Sequence, residues 1–107
     1  MPRERAIVNR IMAVVRSLGC HVEKTHGSVY GEKGRPDLYI WVPVRYQWAA
    51  VPLVVEVKQP GEAPTKLQEY RLAVFARHHV ETLYATTPEQ VREYIERIQK
   101  GEHGTQD

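Results

Sequence analysis

The 107-residue sequence lacks several features that each indicate a particular class of protein. Its single cysteine, Cys20, excludes an intramolecular disulfide and any zinc site built from several cysteines, and burial is the role we expect for it. No apolar run approaches the roughly 18 residues that cross a membrane, and no charged-then-apolar leader precedes a small-residue cleavage site. We therefore expect a cytoplasmic protein with no membrane partner.

Motifs of several common enzyme classes are also missing. No glycine-rich loop is followed by lysine, which disfavours nucleotide hydrolysis. No Ser-His-Asp set is evident, and the five histidines do not have the clustered spacing that a His-Cys zinc site needs.

Charge is small in sum but unevenly distributed. The formal net charge is +2, which is too low to indicate a nucleic-acid-binding protein by itself. Residues 1–60 hold nine Lys or Arg against five Asp or Glu, a net charge of +4, whereas residues 61–107 hold six against eight, a net charge of −2. A basic first half that contains candidate cation ligands favours contact with phosphate.

The apolar pattern predicts a single domain over residues 1–100, with a flexible tail at 101–107. The predicted order of elements is helix, three strands, helix, strand, helix. The first helix ends at Gly19, and strands follow over 20–24, 38–42 and 53–57, with residues 43–52 as the link between the last two. The first helix carries an apolar stripe of Ile7, Ile11, Val14, Val15 and Leu18.

The second half of the chain continues with a helix, a strand and a helix. The second helix is predicted over residues 65–79, a strand parallel to a neighbour over 80–85, and the last helix from the cap Thr87-Pro88-Glu89-Gln90. The core-facing stripe predicted for the second helix is Leu67, Tyr70, Val74 and Phe75, and that of the last helix is Val91, Tyr94, Ile95 and Ile98.

Two acidic residues and a lysine lie at the ends of predicted strands. Asp37 opens the run 38–42, and Glu56 and Lys58 share one face at the end of the run 53–57, because residues two apart in a strand point the same way. If the two strands pair, Asp37 and Glu56 converge on a divalent cation, with the Lys58 ammonium beside the reacting group. That arrangement suits phosphodiester hydrolysis. The alternative is a Pro-Asp turn and a solvated strand edge.

The combined pattern resembles the VRR-NUC family of the PD-(D/E)xK nuclease superfamily. The matching residues are Gly34-Arg35-Pro36-Asp37, then Glu56-Val57-Lys58, then Gln68 at the start of the next helix, and the resemblance spans residues 4–86. It implies a restriction-endonuclease-like α/β fold with a mixed central sheet flanked by helices. It also implies an Mg2+- or Mn2+-dependent endodeoxyribonuclease that leaves a 5′-phosphate and a 3′-hydroxyl.

The resemblance assigns roles to individual residues. Asp37, Glu56, the Val57 carbonyl and Glu4 are expected to hold one or two metal ions that polarise the phosphate and lower the pKa of a bound water. Lys58 then positions the nucleophile or stabilises developing negative charge, and Gln68 orients water or phosphate. Glu4 has a second reading as a first-turn glutamate stabilised by the helix dipole, and Gln68 as a solvated amide.

Substrate and assembly follow from the same resemblance. Stand-alone members of similar length act on branched DNA, notably Holliday junctions, as homodimers, so we expect DNA and a second copy of the chain as partners. The alternatives are a nuclease with another DNA substrate and a catalytically silent nucleic-acid- or protein-binding module. Candidate phosphate-binding side chains, for which plain surface charge is the default interpretation, are Lys33, Arg35, Lys66 and Arg71.

An apolar connection is the expected dimer interface. Residues 41–53 include Trp41, Tyr46, Trp48 and Val51, more aromatic and apolar area than a domain this small can readily bury. The alternative is that Trp48 folds back over the domain's own sheet.

Overall fold

The order of helices and strands agrees with the sequence prediction. The computed structural model describes residues 2–25, 35–44 and 48–101, so Lys33, Tyr46 and residues 102–107 of the predicted tail lie outside the described part. No helix in the described residues is long and apolar enough to cross a membrane. The elements are α1 Pro2–Ser17, β1 His21–Lys24, β2 Leu38–Pro43, β3 Ala50–Val57, α2 Lys66–Arg77, β4 Glu81–Ala85 and α3 Pro88–Gln99.

The four strands form one mixed sheet in the order β1-β2-β3-β4. Strand β2 pairs antiparallel with β1 and β3, whereas β4 pairs parallel with β3, as a helical crossover between them requires. The mixed α/β sheet predicted from the sequence is thereby confirmed. Strand β3 lies between two neighbours, which explains why its second half is buried throughout.

The main hydrophobic core lies between one face of the sheet and helices α1 and α3. Leu38, Ile40 and Val42 alternate along β2 and point into this core, where they meet α1 and α3. The predicted α1 stripe is right except that Val8 is also buried and Val14, which is only half-buried, does not belong to the core. Helix α2 contributes no residue to the core and packs on the opposite face, where Phe75 meets Tyr39 edge-on at a ring-centroid distance of 6.1 Å. The sheet is therefore covered by helices on both faces.

The predicted core stripe of α2 is wrong at its first two residues, Leu67 and Tyr70, although Phe75 does face the sheet. Leu67 and Tyr70 are 42% and 59% exposed, and the buried apolar residue of this helix is Leu72. Residues 68, 72 and 75 share one side of a helix, so the inward side of α2 begins with a polar residue, Gln68. Apolar periodicity places Gln68 on the solvent side of α2, so the stripe predicted from it is rotated about the helix axis relative to the observed buried side.

The predicted link between β2 and β3 is also longer than the observed one. Strand β3 begins at Ala50, and Pro52 lies within it, opposite Trp41 of β2. Strand β4 pairs only with residues from Leu53 onward, so Pro52 has a strand on one side alone. A proline, which lacks the N–H that a second neighbour would need, is tolerated there.

Candidate active site

The pairing of β2 and β3 brings the two predicted acids together. Leu38 of β2 is the partner of Val55 of β3, and in an antiparallel pair the preceding Asp37 therefore lies opposite Glu56. The Val57 N–H donates a hydrogen bond to Asp37 Oδ2 over 2.7 Å. Asp37 is thus held at the end of the ladder, with its carboxylate turned toward β3.

Glu56 and Lys58 are buried, although they are charged residue types. Their exposures are 4% and 5%, and within the described residues they are the only buried polar or charged side chains. Burial of this kind is costly unless the charges are matched by partners. The site therefore depends on how these two side chains are satisfied.

A single amide bridges the lysine and the glutamate. Lys58 Nζ donates to Gln68 Oε1 at 2.5 Å, and Gln68 Nε2 donates to Glu56 Oε2 at 2.7 Å. Lys58 Nζ lies 3.6 Å from Glu56 Oε2, which confirms that the two side chains share one face of β3. Gln68 is therefore half-buried and turned toward the site, and its alternative reading as a solvated amide is wrong.

The same glutamine also caps the start of helix α2. Its Oε1 also accepts the Thr65 N–H at 2.9 Å, while its own N–H donates to Thr65 Oγ1 at 3.1 Å, which completes a capping box. Because Oε1 accepts from two donors, the side-chain NH2 must point at Glu56. Thr65 thus fixes which way the amide faces. The Thr-x-x-Gln spacing that predicts a capping box for α3 is also present here, at Thr65 and Gln68.

A further acid borders the lysine. Glu62 Oε1 accepts the Gln59 N–H at 2.9 Å, and its Oε2 lies 3.8 Å from Lys58 Nζ. The Glu62 side chain is 42% exposed, so the ion pair is partly screened by solvent. Sequence reasoning had passed over Glu62, whose one signal is its i+4 spacing from Lys58.

The acids repel one another because they are close and poorly solvated. Burial, with the charge of Asp37 as the next cause, raises the pKa of Glu56 to about 8 despite the opposing effect of Lys58. Burial also raises the pKa of Asp37; the Val57 N–H lowers it, and Glu4 and Glu62 raise it further. The site is therefore short of positive charge for the number of carboxylates that it contains.

One buried oxygen identifies where a cation would bind. Glu56 Oε1 is buried and has no hydrogen-bond partner within the described residues, which is costly for an acceptor away from water. It belongs to the carboxylate opposite Asp37. Two hard oxygen donors of this kind fit a divalent ion such as Mg2+ or Mn2+.

Glu4 lies in the first turn of α1, and its role as a metal ligand stays a prediction. It is half-buried, and its charge raises the pKa of both Asp37 and Glu56, so it lies on the site's side of the molecule. In the described part of the chain, however, no three His, Cys, Asp or Glu residues are grouped closely enough to hold a metal ion.

The predicted phosphate-binding residues are spread around this site. Arg35 is exposed two residues before Asp37, and Lys66 is exposed at the first residue of α2. Arg71 is half-buried one turn beyond Gln68 on the same side of α2.

We expect the capping glutamine of α2 to matter more for stability than that of α3. Gln68→Ala removes a cap and also deprives buried Lys58 and Glu56 of partners, whereas Gln90→Ala removes only the matching cap of α3. Loss of a cap costs about 1 kcal/mol of unfolding free energy, and each buried group left unsatisfied costs about 1–3 kcal/mol more. Urea denaturation of both variants measures the difference, and equal losses would contradict the bridging role.

We also expect the metal-free protein to lose stability as the pH rises. Because the pKa of Glu56 in the folded protein, about 8, exceeds its ordinary value of 4.5, the folded state binds this proton more tightly than the unfolded state. The stabilising contribution is complete below about pH 4.5 and is lost as the pH rises through about 8, a change on the order of 5 kcal/mol.

Urea denaturation in EDTA between pH 5 and pH 9 measures this loss. Glu56→Gln should remove most of the pH dependence, and Glu93→Gln, at an exposed position of α3, should retain it. A wild-type unfolding free energy that is flat or rises over this range would contradict the expectation.

Comparison with known proteins gives the same architecture. The family model described as VRR-NUC domain matches residues 7–103. A solved structure described as a VRR-NUC domain is similar with a TM-score of 0.70 and 26% identity, covering 88% of this chain and 95% of that chain. A second, described as a VRR-NUC domain protein, has a TM-score of 0.61 at 16% identity over 85% of each chain and supports the fold alone. No curated protein matches the sequence significantly.

Proposed function

This chain belongs to the VRR-NUC domain family, a nuclease-type domain, and from that premise we propose that it is a metal-dependent DNA endonuclease. The observation that carries the proposal is the pair of buried charged side chains, Glu56 and Lys58, beside half-buried Asp37, with one carboxylate oxygen of Glu56 left without a partner among the described residues. A bound cation would satisfy that oxygen and offset the repulsion between the two acids.

In this mechanism, the metal would be held by the carboxylates of Asp37 and Glu56 and by the Val57 carbonyl, with Glu4 nearby as a further acid. A bound Mg2+ or Mn2+ supplies Lewis acidity toward the phosphate and lowers the pKa of a coordinated water. Lys58 provides a fixed positive charge beside the reacting phosphate, where it stabilises the negative charge of the transition state. Gln68 holds the Lys58 ammonium in that position through its Oε1.

The substrate that we propose is branched DNA, with Holliday junctions as the first to test. Basic side chains border the site at Arg35 and Lys66. A nuclease with a different DNA substrate is the alternative within the family. A catalytically silent module is disfavoured, because burial of Glu56 and Lys58 costs free energy that simple binding does not require.

A cleavage assay tests the proposed function directly. Purified protein is incubated with labelled linear, flapped and four-way DNA in Mg2+, Mn2+ or EDTA. We expect cleavage that requires a divalent ion and is fastest on the four-way substrate. Equal cleavage of all three substrates would restrict the proposal to a general DNA nuclease, and DNA binding without cleavage under any condition would support the silent module.

We further propose that the protein acts as a homodimer. Trp48 is 97% exposed, so the alternative in which it folds back over the sheet does not hold in this structure. Trp41 is 39% exposed, and Pro52 opposite it is also exposed, on the sheet face that α2 covers only in part. A second copy on this surface would bury the aromatic area and supply the paired sites that symmetric cleavage of a junction needs.

We expect Trp48→Glu to separate the dimer. A carboxylate at the centre of an apolar interface would be desolvated, which should weaken association at least about tenfold. Light scattering at micromolar concentration gives the mass, and Tyr70→Glu, which alters an exposed aromatic residue on α2, serves as the control. A wild-type protein that is monomeric and still resolves junctions would refute the dimer.

A further inference from the structure

Helix α1 carries positive charge along its outer face. Pro2–Ser17 contains four arginines and a single acid, Glu4, which is half-buried. Arg5, Arg10 and Arg16 are all exposed. Within the described residues, none of these three arginines makes an ion pair.

The neighbouring helix provides a contrast. Helix α3 contacts α1 on the same side of the sheet, but Pro88–Gln99 contains three glutamates and two arginines, a net charge of −1 against +3 for α1. The two helices share the same core, so their packing does not require this difference in charge. The positive charge is therefore a local property of the α1 surface.

The arginines border an open face of the helix. Successive residues of a helix turn by about 100°, so Arg5 and Arg16 lie almost on one line and Arg10 lies about 140° around from Arg5. Short exposed side chains lie between these positions, which lets an extended polymer approach the helix closely; they are Ala6, Asn9, Ala13 and Ser17.

This face leads away from the candidate active site. Helix α1 contacts β3, the strand that carries Glu56, and Glu4, next to Arg5, is one of the charges that raise the pKa of Asp37 and Glu56, so the first turn of α1 lies on the site's side of the molecule. Arg16 lies about 16 Å further along the helix axis, a length that corresponds to about five base pairs of duplex. The positive charge of α1 thus extends from the end of the helix on the site's side, at Arg5, along one side of the molecule to Arg16.

We propose that the outer face of α1, defined by Arg5, Arg10 and Arg16, binds the sugar–phosphate backbone of one duplex arm of the DNA substrate. Arginine suits this role because its guanidinium donates two hydrogen bonds to a phosphate and stays charged. Lys66 and Arg71 belong to α2, on the opposite face of the sheet, so a second arm would leave the site on that side. The inference rests on the proposed nuclease function and deepens it, because two basic surfaces on opposite faces of the sheet favour a substrate with more than one duplex arm.

Charge reversal at the two arginines furthest from the site tests the proposal. Arg10→Glu and Arg16→Glu are compared with Arg92→Glu, which makes the same charge change at an exposed position of α3. The probes are a fluorescently labelled four-way junction and a labelled linear duplex in Ca2+, and fluorescence anisotropy is measured over a range of salt concentrations. If a glutamate variant fails to fold by circular dichroism, Arg10→Gln and Arg16→Gln replace it.

We expect each α1 variant to bind the junction roughly tenfold more weakly and to reduce the salt dependence of binding by about one phosphate contact. Arg92→Glu should change affinity less than about twofold, and cleavage at saturating DNA should stay within about twofold of wild type for all three. Equal weakening by all three variants would mean that only net charge matters, and would overturn the inference. If the wild-type protein binds the junction and the α1 variants bind it equally well, the inference about α1 is overturned and the proposed nuclease function is unaffected. If the wild-type protein neither binds nor cleaves DNA, both the inference and the proposed function are overturned.

Discussion

Asp37→Asn and Glu56→Gln should each reduce DNA cleavage by at least about a thousandfold. Each amide keeps the size of the side chain but removes the negative charge that a divalent ion requires. Glu56→Gln also removes the charge from the carboxylate that carries the buried Oε1, the oxygen that has no hydrogen-bond partner in the described structure. Because both carboxyls have raised pKa values, neutralising them should leave the metal-free fold intact or more stable.

Single-turnover cleavage of a labelled four-way junction in Mn2+ measures this loss, and titration calorimetry follows metal binding. Glu69→Gln makes the same change at an exposed position in the first turn of α2 and should cleave at close to the wild-type rate. Wild-type rates in both site variants would exclude the assigned site. Full activity of the wild-type protein in EDTA would exclude the metal but leave the acids open to another role.

Lys58→Met should lose turnover and retain DNA binding. Lys58 Nζ is buried beside Glu56 and Gln68, so its charge acts on a phosphate inside the site and contributes little to the outer surface that DNA first contacts. An interaction made mainly in the transition state affects the rate of the chemical step without a matching loss of affinity. We expect a rate loss of about 10³-fold, with affinity within about threefold of wild type.

Binding in Ca2+ by gel shift and single-turnover cleavage in Mn2+ separate these two quantities. Lys66→Met, at the exposed first residue of α2, is the matched control and should weaken binding without slowing the bound complex. Similar losses of affinity and rate in Lys58→Met would make Lys58 an ordinary phosphate-binding residue. A circular dichroism melt is needed beside both assays, because the methionine leaves Glu56 without its buried cation.

Stability and activity are coupled at the start of α2. Gln68 completes the capping box with Thr65 and at the same time holds Lys58 and Glu56. A change that loosens this helix start therefore also releases the Lys58 ammonium. Thr65 acts on the site only through Gln68, which makes it a positioning residue that a motif search would not detect.

The sequence by itself determined the order of the elements and the convergence of the two acids. Helix and strand patterns depend on local periodicity, and Gly19 and the Thr87 cap are local signals of the same kind. Asp37 and Glu56 could be placed together because Asp37 precedes one strand, Glu56 lies near the end of the next, and antiparallel pairing brings these positions opposite each other. The family motif rests on the same three residues, Asp37, Glu56 and Lys58.

Only the tertiary structure decided how those residues are satisfied and which surfaces stay open. Gln68 faces inward because the two buried charged residues on the facing side of the sheet, Glu56 and Lys58, need its amide, and this orientation of α2 leaves Tyr70 exposed. The raised pKa of Glu56 follows from burial in the folded chain and from the charge of Asp37 just before the neighbouring strand, which no local pattern records. Trp48 is 97% exposed because no distant part of the described chain packs over it. The presence or absence of contacts between residues distant in sequence sets all three, so they could not be inferred from spacing along the chain.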